Sequence, residues 1–393
     1  MLTTLAISNY RSLRELVMPL GPVTLITGGN GCGKSNAYRA LRLLAETAQG
    51  AVVAALAREG GLPSALWAGP EQFTRAMRSG EQPIEGTRRK EPIALRLGFA
   101  GDEFGYAIDL GLPPPERPPA NPPTAFGRDP QIKRECIWAG PMLRPSALLV
   151  DRAGGGVRIR NEAGAWSEST HHIAPFDSML AQFSDPQRAP EMLQVRERLR
   201  GWRFYDHFRT DLAAPARAAQ IGTYTPVLGH DGADLAAALQ TIIEIGDVER
   251  LRAAVEDAFP GAAVFVDVRD GRFSLHMQQH GLLRPLSAAE LSDGTLRYLL
   301  WIAALLTPRP PELLVLNEPE ASLHPDLLPA LGRLIASASR DAQIIVVSHA
   351  SRLIATLAEH EQCVHQVLDK DLGQTVIRGQ DLLDRPAWHW PSR

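Results

Sequence analysis

Lysine is nearly missing from this 393-residue chain: four lysines stand against 37 arginines, out of 41 basic residues. A lysine inside a glycine-rich turn is therefore not background. Net charge is also lacking, formally −3, so no global basic field argues for nucleic acid, and such contact would need a local patch. Cysteine is scarce. Cys32, Cys136 and Cys363 lie far apart, form no metal-ligand spacing and read as reduced cytosolic thiols. No apolar run approaches the ~18 residues of a spanning helix, the longest being 299–306, and no signal peptide opens the chain. A cytoplasmic protein without membrane insertion is expected. Internal repeats and coiled-coil heptads are missing too. The length allows two or three domains, or one large domain with insertions.

What is present is concentrated in residues 28–35, GGNGCGKS, which fit the phosphate-binding pattern G-x-x-x-x-G-K-[ST] with Gly28, Gly33, Lys34 and Ser35 in the fixed positions. An apolar run at 23–27 precedes it and a helical pattern at 38–47 follows, so the loop joins a strand to a helix. Glycines let backbone N–H groups turn inward as an anion nest, and the helix N-terminus adds a favourable dipole. Lys34 would reach the β- and γ-phosphates of ATP, and the Ser35 hydroxyl would ligate Mg²⁺. A ligand-free glycine-rich turn is the plainer reading, and the strand–helix context argues against it.

Alternation marks a first strand at 2–8, followed by Asn9-Tyr10-Arg11-Ser12. Glycine and proline at 60–86 mark loops. Strand candidates at 93–99, 106–110, 132–138, 147–151 and 157–160 suggest an antiparallel sheet, with a hairpin turn at Gly154-Gly155-Gly156 and an irregular proline run at 113–123. Residues 190–208 read as helical, and 231–259 as two helices split at Gly246-Asp247. Residues 264–268 and 272–277 form a hairpin across Asp270-Gly271. Solid apolar runs at 313–316 and 344–348, separated by a helix at 326–337, are the pattern of buried parallel strands. The tail after Trp388 reads as irregular. These features divide the chain into an N-terminal lobe (1–165), a helical insertion (166–260) and a C-terminal lobe (261–393).

The run at 313–316 closes on Asn317-Glu318. A phosphate loop needs a carboxylate partner at the end of a neighbouring strand. Glu318 is the candidate general base that polarises water, and Asn317 stands where an Asp usually holds Mg²⁺ through water. The amide removes one charge from the metal site, so weaker Mg²⁺ binding or slower turnover is expected. Residues 344–347 deliver Ser348-His349 to the next strand end, where His349 can sense the γ-phosphate or support the attacking water. Leu291-Ser292-Asp293-Gly294-Thr295 opens a further helix, a second anion-binding end that economically faces the nucleotide of a second subunit. An ordinary Ser or Asp cap is the alternative.

GGNGCGKSN, LSDGTLRYL, LLVLNEPEASLHP and VVSH, in this order, resemble the ABC-type ATPase heads of the SMC, RecF and OLD group of AAA-like bacterial ATPases. The resemblance is strong over 1–50 and 280–355 and weak between. It implies an α/β P-loop NTPase with a mainly parallel core sheet flanked by helices, an antiparallel β subdomain and a short helical insertion. It further implies Gly28, Asn30, Gly31, Gly33, Lys34, Ser35 and Asn36 at the nucleotide. Ser292, Asp293 and Gly294 would be the signature, 321–325 the D-loop, and His349 the switch histidine. Arg11 in the N-terminal segment is a further nucleotide candidate, and Gln182 a Q-loop candidate near the metal. Residues 228–236, LGHDGADLA, are similar to a region recurring in RecF-like and OLD-like heads. Two features of the group are missing: the long coiled-coil arms, and a C-terminal nuclease domain, since only about forty residues follow His349. DNA cleavage by this chain is not expected.

The leading expectation is an ATPase that dimerises on ATP and couples its closed state to a partner in DNA repair, recombination or phage defence, with DNA and an effector protein (a nuclease or toxin) as candidate partners. Arg196, Arg200 and Arg203 are expected on one helix face, with Trp202 and Tyr205 nearby, as a surface for phosphate backbone; a solvated face is the blander reading. The nucleotide-binding subunit of a membrane transporter is a second class, disfavoured by LSDGT in place of LSGGQ. A regulatory scaffold that barely hydrolyses ATP is a third, motivated by Asn317.

Overall fold

The computed structural model describes all residues except 86, 88, 90–92, 115–123, 162, 170, 171, 184, 382 and 393; most of the proline run at 113–123 thus lies outside the described residues. In chain order the elements are β1 (Leu2–Tyr10), β2 (Leu13–Pro19), β3 (Val23–Gly28), α1 (Lys34–Thr47), α2 (Val52–Arg58), α3 (Leu62–Ala65) and α4 (Arg75–Ser79). Then come β4 (Leu95–Gly101), β5 (Phe104–Gly111), β6 (Gln131–Ala139), β7 (Leu148–Ala153), β8 (Gly156–Arg160), β9 (Trp166–Glu168), α5 (Met179–Gln182), α6 (Pro190–Gly201), β10 (Arg203–Tyr205) and β11 (Gln220–Ile221). The last third holds α7 (Leu235–Ile245), α8 (Val248–Ala258), β12 (Ala263–Arg269), β13 (Arg272–Gln278), β14 (Leu286–Ser287), α9 (Asp293–Leu305), β15 (Leu313–Asn317), α10 (Leu328–Ala338), β16 (Gln343–Val347), α11 (Ser351–Ala358), β17 (Cys363–Asp371) and β18 (Gln374–Ile377).

Two compact units result. The first comprises Met1–Leu20, Gly28–Gly201 and Gln366–Arg393; the second comprises Gly21–Thr27 and Trp202–His365. The first is built on an antiparallel sheet in the order β2-β1-β4-β5-β6-β7-β8-β9. The strands expected between 93 and 160 are all in it: β4 and β5 are buried on both faces, whereas β8 alternates between buried and exposed positions. Inside it lies a saturated polar knot. Arg152 and Glu135, both fully buried, pair at 2.9 Å, and Glu135 also accepts from Tyr106 (2.7 Å), Ser178 (2.5 Å) and the Met179 N–H (2.9 Å). Burial and the Glu135 charge together hold the Tyr106 phenol well above its ordinary pKa. The tail after Trp388 is irregular but anchored: Trp388 meets Trp138 edge-on at 5.6 Å and Trp390 at 5.2 Å.

The second unit carries parallel strands in the order β10-β15-β16-β3. β3, β15 and β16 are buried along nearly their whole length, which is why they read as continuous apolar runs. The apolar faces of α7, α9 and α10 complete one core with them. The hairpin β12–β13 turns at Asp270 (φ 51°) and Gly271 (φ 74°), the left-handed pair that a tight two-residue connection requires.

The segment 190–208 departs from the helical expectation. α6 ends at Gly201, and Arg203, Phe204 and Tyr205 pair in parallel with Leu314, Val315 and Leu316. A glycine stop followed by aromatic residues favours extended chain once a sheet edge is available. Arg203 is therefore on a strand, not on the face of Arg196 and Arg200, and Trp202 and Tyr205 are buried. Arg196 pairs with Glu197, Arg198 with Glu103, and Arg200 donates to Glu197 and the Ala48 carbonyl. The shared basic helix face with accessible aromatics is not formed.

Candidate functional site

In the first unit, the phosphate-binding pattern forms a loop closed by α1. Gly28 (φ 144°), Gly31 (φ 75°) and Gly33 (φ 110°) adopt backbone that L side chains avoid. A Cβ at Gly28 would strike the Leu368 carbonyl, and one at Gly33 would strike Thr375 Oγ1. Space around Gly29 and Gly31 is open, and Asn30 and Ser35 are exposed. α1 starts without a side-chain cap and without an acidic residue in its first turn, which leaves its positive end free of competing anions. Lys34 is folded inward, its Nζ donating to the carbonyls of Gly28 (2.7 Å) and Gly29 (3.0 Å).

A relay of side chains braces the loop from behind. Asn36 Nδ2 donates to Ser12 Oγ (2.8 Å), Ser12 Oγ lies 2.7 Å from Thr375 Oγ1, and Thr375 Oγ1 donates to the Cys32 carbonyl (2.7 Å). Ser12 belongs to the quoted N-terminal segment, but nothing in the sequence pointed to Thr375. Arg11, in the left-handed region (φ 50°), gives its guanidinium to Glu59 (2.7 and 3.1 Å). Gln182 is exposed at the end of the one-turn helix α5, whose first N–H groups are held by Glu135 and Ser178.

In the second unit, the registers Asn317↔Val347 and Val347↔Ile26 bring the carboxyl ends of β15, β16 and β3 to one edge. β16 lies between the other two, so His349 leaves the sheet between Glu318 and the end of the strand that leads into the phosphate loop. Glu318 has φ 50°, a left-handed conformation unusual for glutamate, stabilised by its N–H bond to the Val347 carbonyl (2.8 Å). Its side chain is 45% exposed, and His349 Nδ1 stands 3.9 Å from its Oε1. Asn317 Oδ1 is buried without a hydrogen-bond partner among the described residues.

The segment Ser292–Gly294 is accessible. Ser292 is exposed and caps α9, its Oγ accepting from the Thr295 N–H (3.1 Å). Asp293 pairs with Arg217 at 2.6 Å, whose buried guanidinium also gathers the carbonyls of Thr210, Ala288 and Leu291. A Cβ on Gly294 would lie 3.3 Å from the carbonyl of Ser322, a left-handed residue (φ 61°). Farther along α9, Arg297 donates to the Ala321 carbonyl (2.8 Å) and Trp301 to that of Pro319 (3.0 Å). One helix thus carries Ser292–Gly294 at its start and tethers the segment after Glu318 along its flank. In LGHDGADLA, the Gly229 N–H donates to both Asp234 oxygens (3.1 Å each), and burial raises the Asp234 pKa; this is a closed turn ahead of α7.

The donors of the first unit fit nucleotide phosphates: open glycines, an ammonium, an uncapped helix start and the exposed Ser35 hydroxyl. In the second unit, Asn317 by itself offers an orphaned amide oxygen of the hard type that Mg²⁺ or its waters accept. No group of three or more metal-ligating His, Cys, Asp or Glu side chains exists among the described residues. No helix among them is long and apolar enough to cross a membrane.

Comparison with known proteins places the chain. No curated protein sequence matches it. Among solved structures it is similar to an SMC head bound to the C-terminal winged-helix domain of ScpA (12% identity, 97% of this chain and 98% of that one, TM-score 0.47). It is also similar to the SMC head domain from Thermotoga maritima (14%, 97% and 99%, TM-score 0.45). A third likeness is to an SMC head with an extended coiled coil bound to the C-terminal domain of ScpA, from Pyrococcus furiosus (13%, 96% and 95%, TM-score 0.46). The family model described as "AAA domain, putative AbiEii toxin, Type IV TA system" matches residues 23–355. The chain therefore belongs to that AAA family.

Proposed function

We propose that the protein binds and hydrolyses ATP, dimerises on it and couples the closed dimer to a partner. The observation that carries this reading is the edge where Glu318, held at positive φ, stands beside His349 and the orphaned Asn317 Oδ1. Lys34 exchanges its two loop carbonyls for the β- and γ-phosphates, the loop N–H groups and the α1 terminus take the remaining charge, and the Ser35 hydroxyl and the Asn317 amide oxygen are the groups that would each offer Mg²⁺ an oxygen. Bound Mg²⁺ supplies neutralisation of phosphate charge. Glu318 orients and deprotonates the attacking water, and His349 steadies it against the γ-phosphate. The exposed Ser292–Gly294 tip completes the site of a second protomer, so two nucleotides join two chains and hydrolysis releases them.

Membership in a family described as a putative toxin of a type IV toxin–antitoxin system supports a cytoplasmic defence setting with an effector or antitoxin protein as partner. DNA is kept among the proposed partners, although Arg196, Arg198, Arg200 and Arg209 are each paired with a carboxylate of the same chain. Light scattering after gel filtration of Glu318→Gln tests the central claim. With ATP its mass should double, and without nucleotide it should stay monomeric; an unchanged mass rejects ATP-driven dimerisation. The scaffold reading rests on Asn317 and is separated by single-turnover hydrolysis: a scaffold shows no more product than Glu318→Gln.

A further inference from the structure

Glu320 is a carboxylate that the nucleotide motifs leave unused. It follows Glu318 by two residues, is only 8% exposed, and points into the junction between β16 and α11. Its Oε1 accepts from Ser348 Oγ (2.8 Å), the His349 N–H (2.9 Å) and the Ala350 N–H (3.2 Å). The same oxygen lies 3.3 Å from His349 Nδ1, closer than Glu318 Oε1 at 3.9 Å. The other oxygen, Oε2, is buried with no hydrogen-bond partner among the described residues.

Burying a carboxylate costs several kcal/mol unless donors replace its water. Satisfying the turn ahead of α11 would need far less, since Ser348 Oγ already accepts from the Ala350 N–H at 3.2 Å. What Glu320 alone provides is a single charged oxygen around which the hydroxyl of 348, the amides of 349 and 350 and the imidazole of 349 converge. Backbone and ring of His349 are thus held by one atom, on the turn that begins at Glu318.

We infer that Glu320 is the positioning residue for His349, fixing its ring against Glu318 so that the switch histidine and the general base keep one relative geometry. This rests on the ATPase reading for its functional consequence. Glu320 touches no phosphate and acts through His349.

A double-mutant cycle tests it. Glu320→Gln keeps an oxygen for the three donors and removes the charge beside the imidazole. Its kcat for ATP should fall about tenfold, with KM and equilibrium nucleotide affinity within twofold of the parent. In the His349→Gln background the same substitution should cost nothing further. Independent, multiplicative losses, or an unchanged kcat in Glu320→Gln, overturn the inference. Should Glu320→Gln not fold, Glu320→Asp, which keeps the charge but withdraws it from Nδ1, carries the same cycle. If the parent shows no hydrolysis, the ATPase reading fails on its own. The positioning claim is then decided on nucleotide-free protein by ¹⁵N-histidine NMR, with the His349 ring assigned by its loss in His349→Gln. A shifted ring signal in the Glu320 variant supports the claim, and an unmoved one rejects it.

Discussion

The hydroxyl of Thr375 donates to the carbonyl of Cys32 at 2.7 Å, joining residues 343 positions apart in the chain. With Ser12 and Asn36 it forms a relay that holds the phosphate loop from the side away from its open glycines. Thr375→Val removes that donor and leaves Ser12 Oγ without its acceptor, a loss of about 1 kcal/mol. ATP affinity in an equilibrium titration should drop threefold to tenfold, and Thr375→Ser should restore it. Unaltered affinity in the valine variant would show that the loop needs no brace.

Gly33 illustrates the same constraint from the backbone. At φ 110° and against Thr375, an alanine meets both conformational strain and a collision, together about 1–3 kcal/mol or more. Gly33→Ala should remain folded by circular dichroism yet lose measurable nucleotide binding. Gly29→Ala, with open space around it and no positive φ, should leave the urea midpoint where it was.

Asn317 offers an amide oxygen where a carboxylate would bring charge. Asn317→Asp should lower the Mg²⁺ concentration for half-maximal hydrolysis at least threefold, because an anion holds the hydrated cation more strongly than an amide does. A rise in that concentration would place the metal elsewhere.

Removing Arg152 strands a fully buried Glu135 carboxylate. Breaking such a pair from one side costs about 3–5 kcal/mol. Arg152→Ala should shift the denaturant midpoint of the first unit accordingly. The same knot holds the start of α5, so hydrogen exchange at Met179 and Leu180 should accelerate as well. Retained protection there would show that Glu135 is dispensable to the helix.

Local patterns were legible where a few adjacent residues decide conformation. Examples are the glycine spacing before Lys34, the Asp270-Gly271 hairpin, the glycine break between α7 and α8, and the apolar runs of β15 and β16. The arginines at helical spacing around β10 predict helix; only the partner strand β15 makes residues 203–205 extended. The resemblance offers Arg11 to nucleotide, and its capture by Glu59, 48 residues away, is invisible in either local segment.

The sequence by itself determined that a glycine-rich Gly-Lys-Ser turn, a Ser-Asp-Gly helix tip, an acidic strand end and a histidine at a strand end occur in this order, because each is a short stretch of adjacent residues. Tertiary structure decided which groups hold them. The brace on Cys32 from Thr375, the grip of α9 on the segment after Glu318, and the convergence of Ser348, His349 and Ala350 on Glu320 all join distant parts of the chain. Such contacts arise from packing and burial, which a linear pattern does not encode.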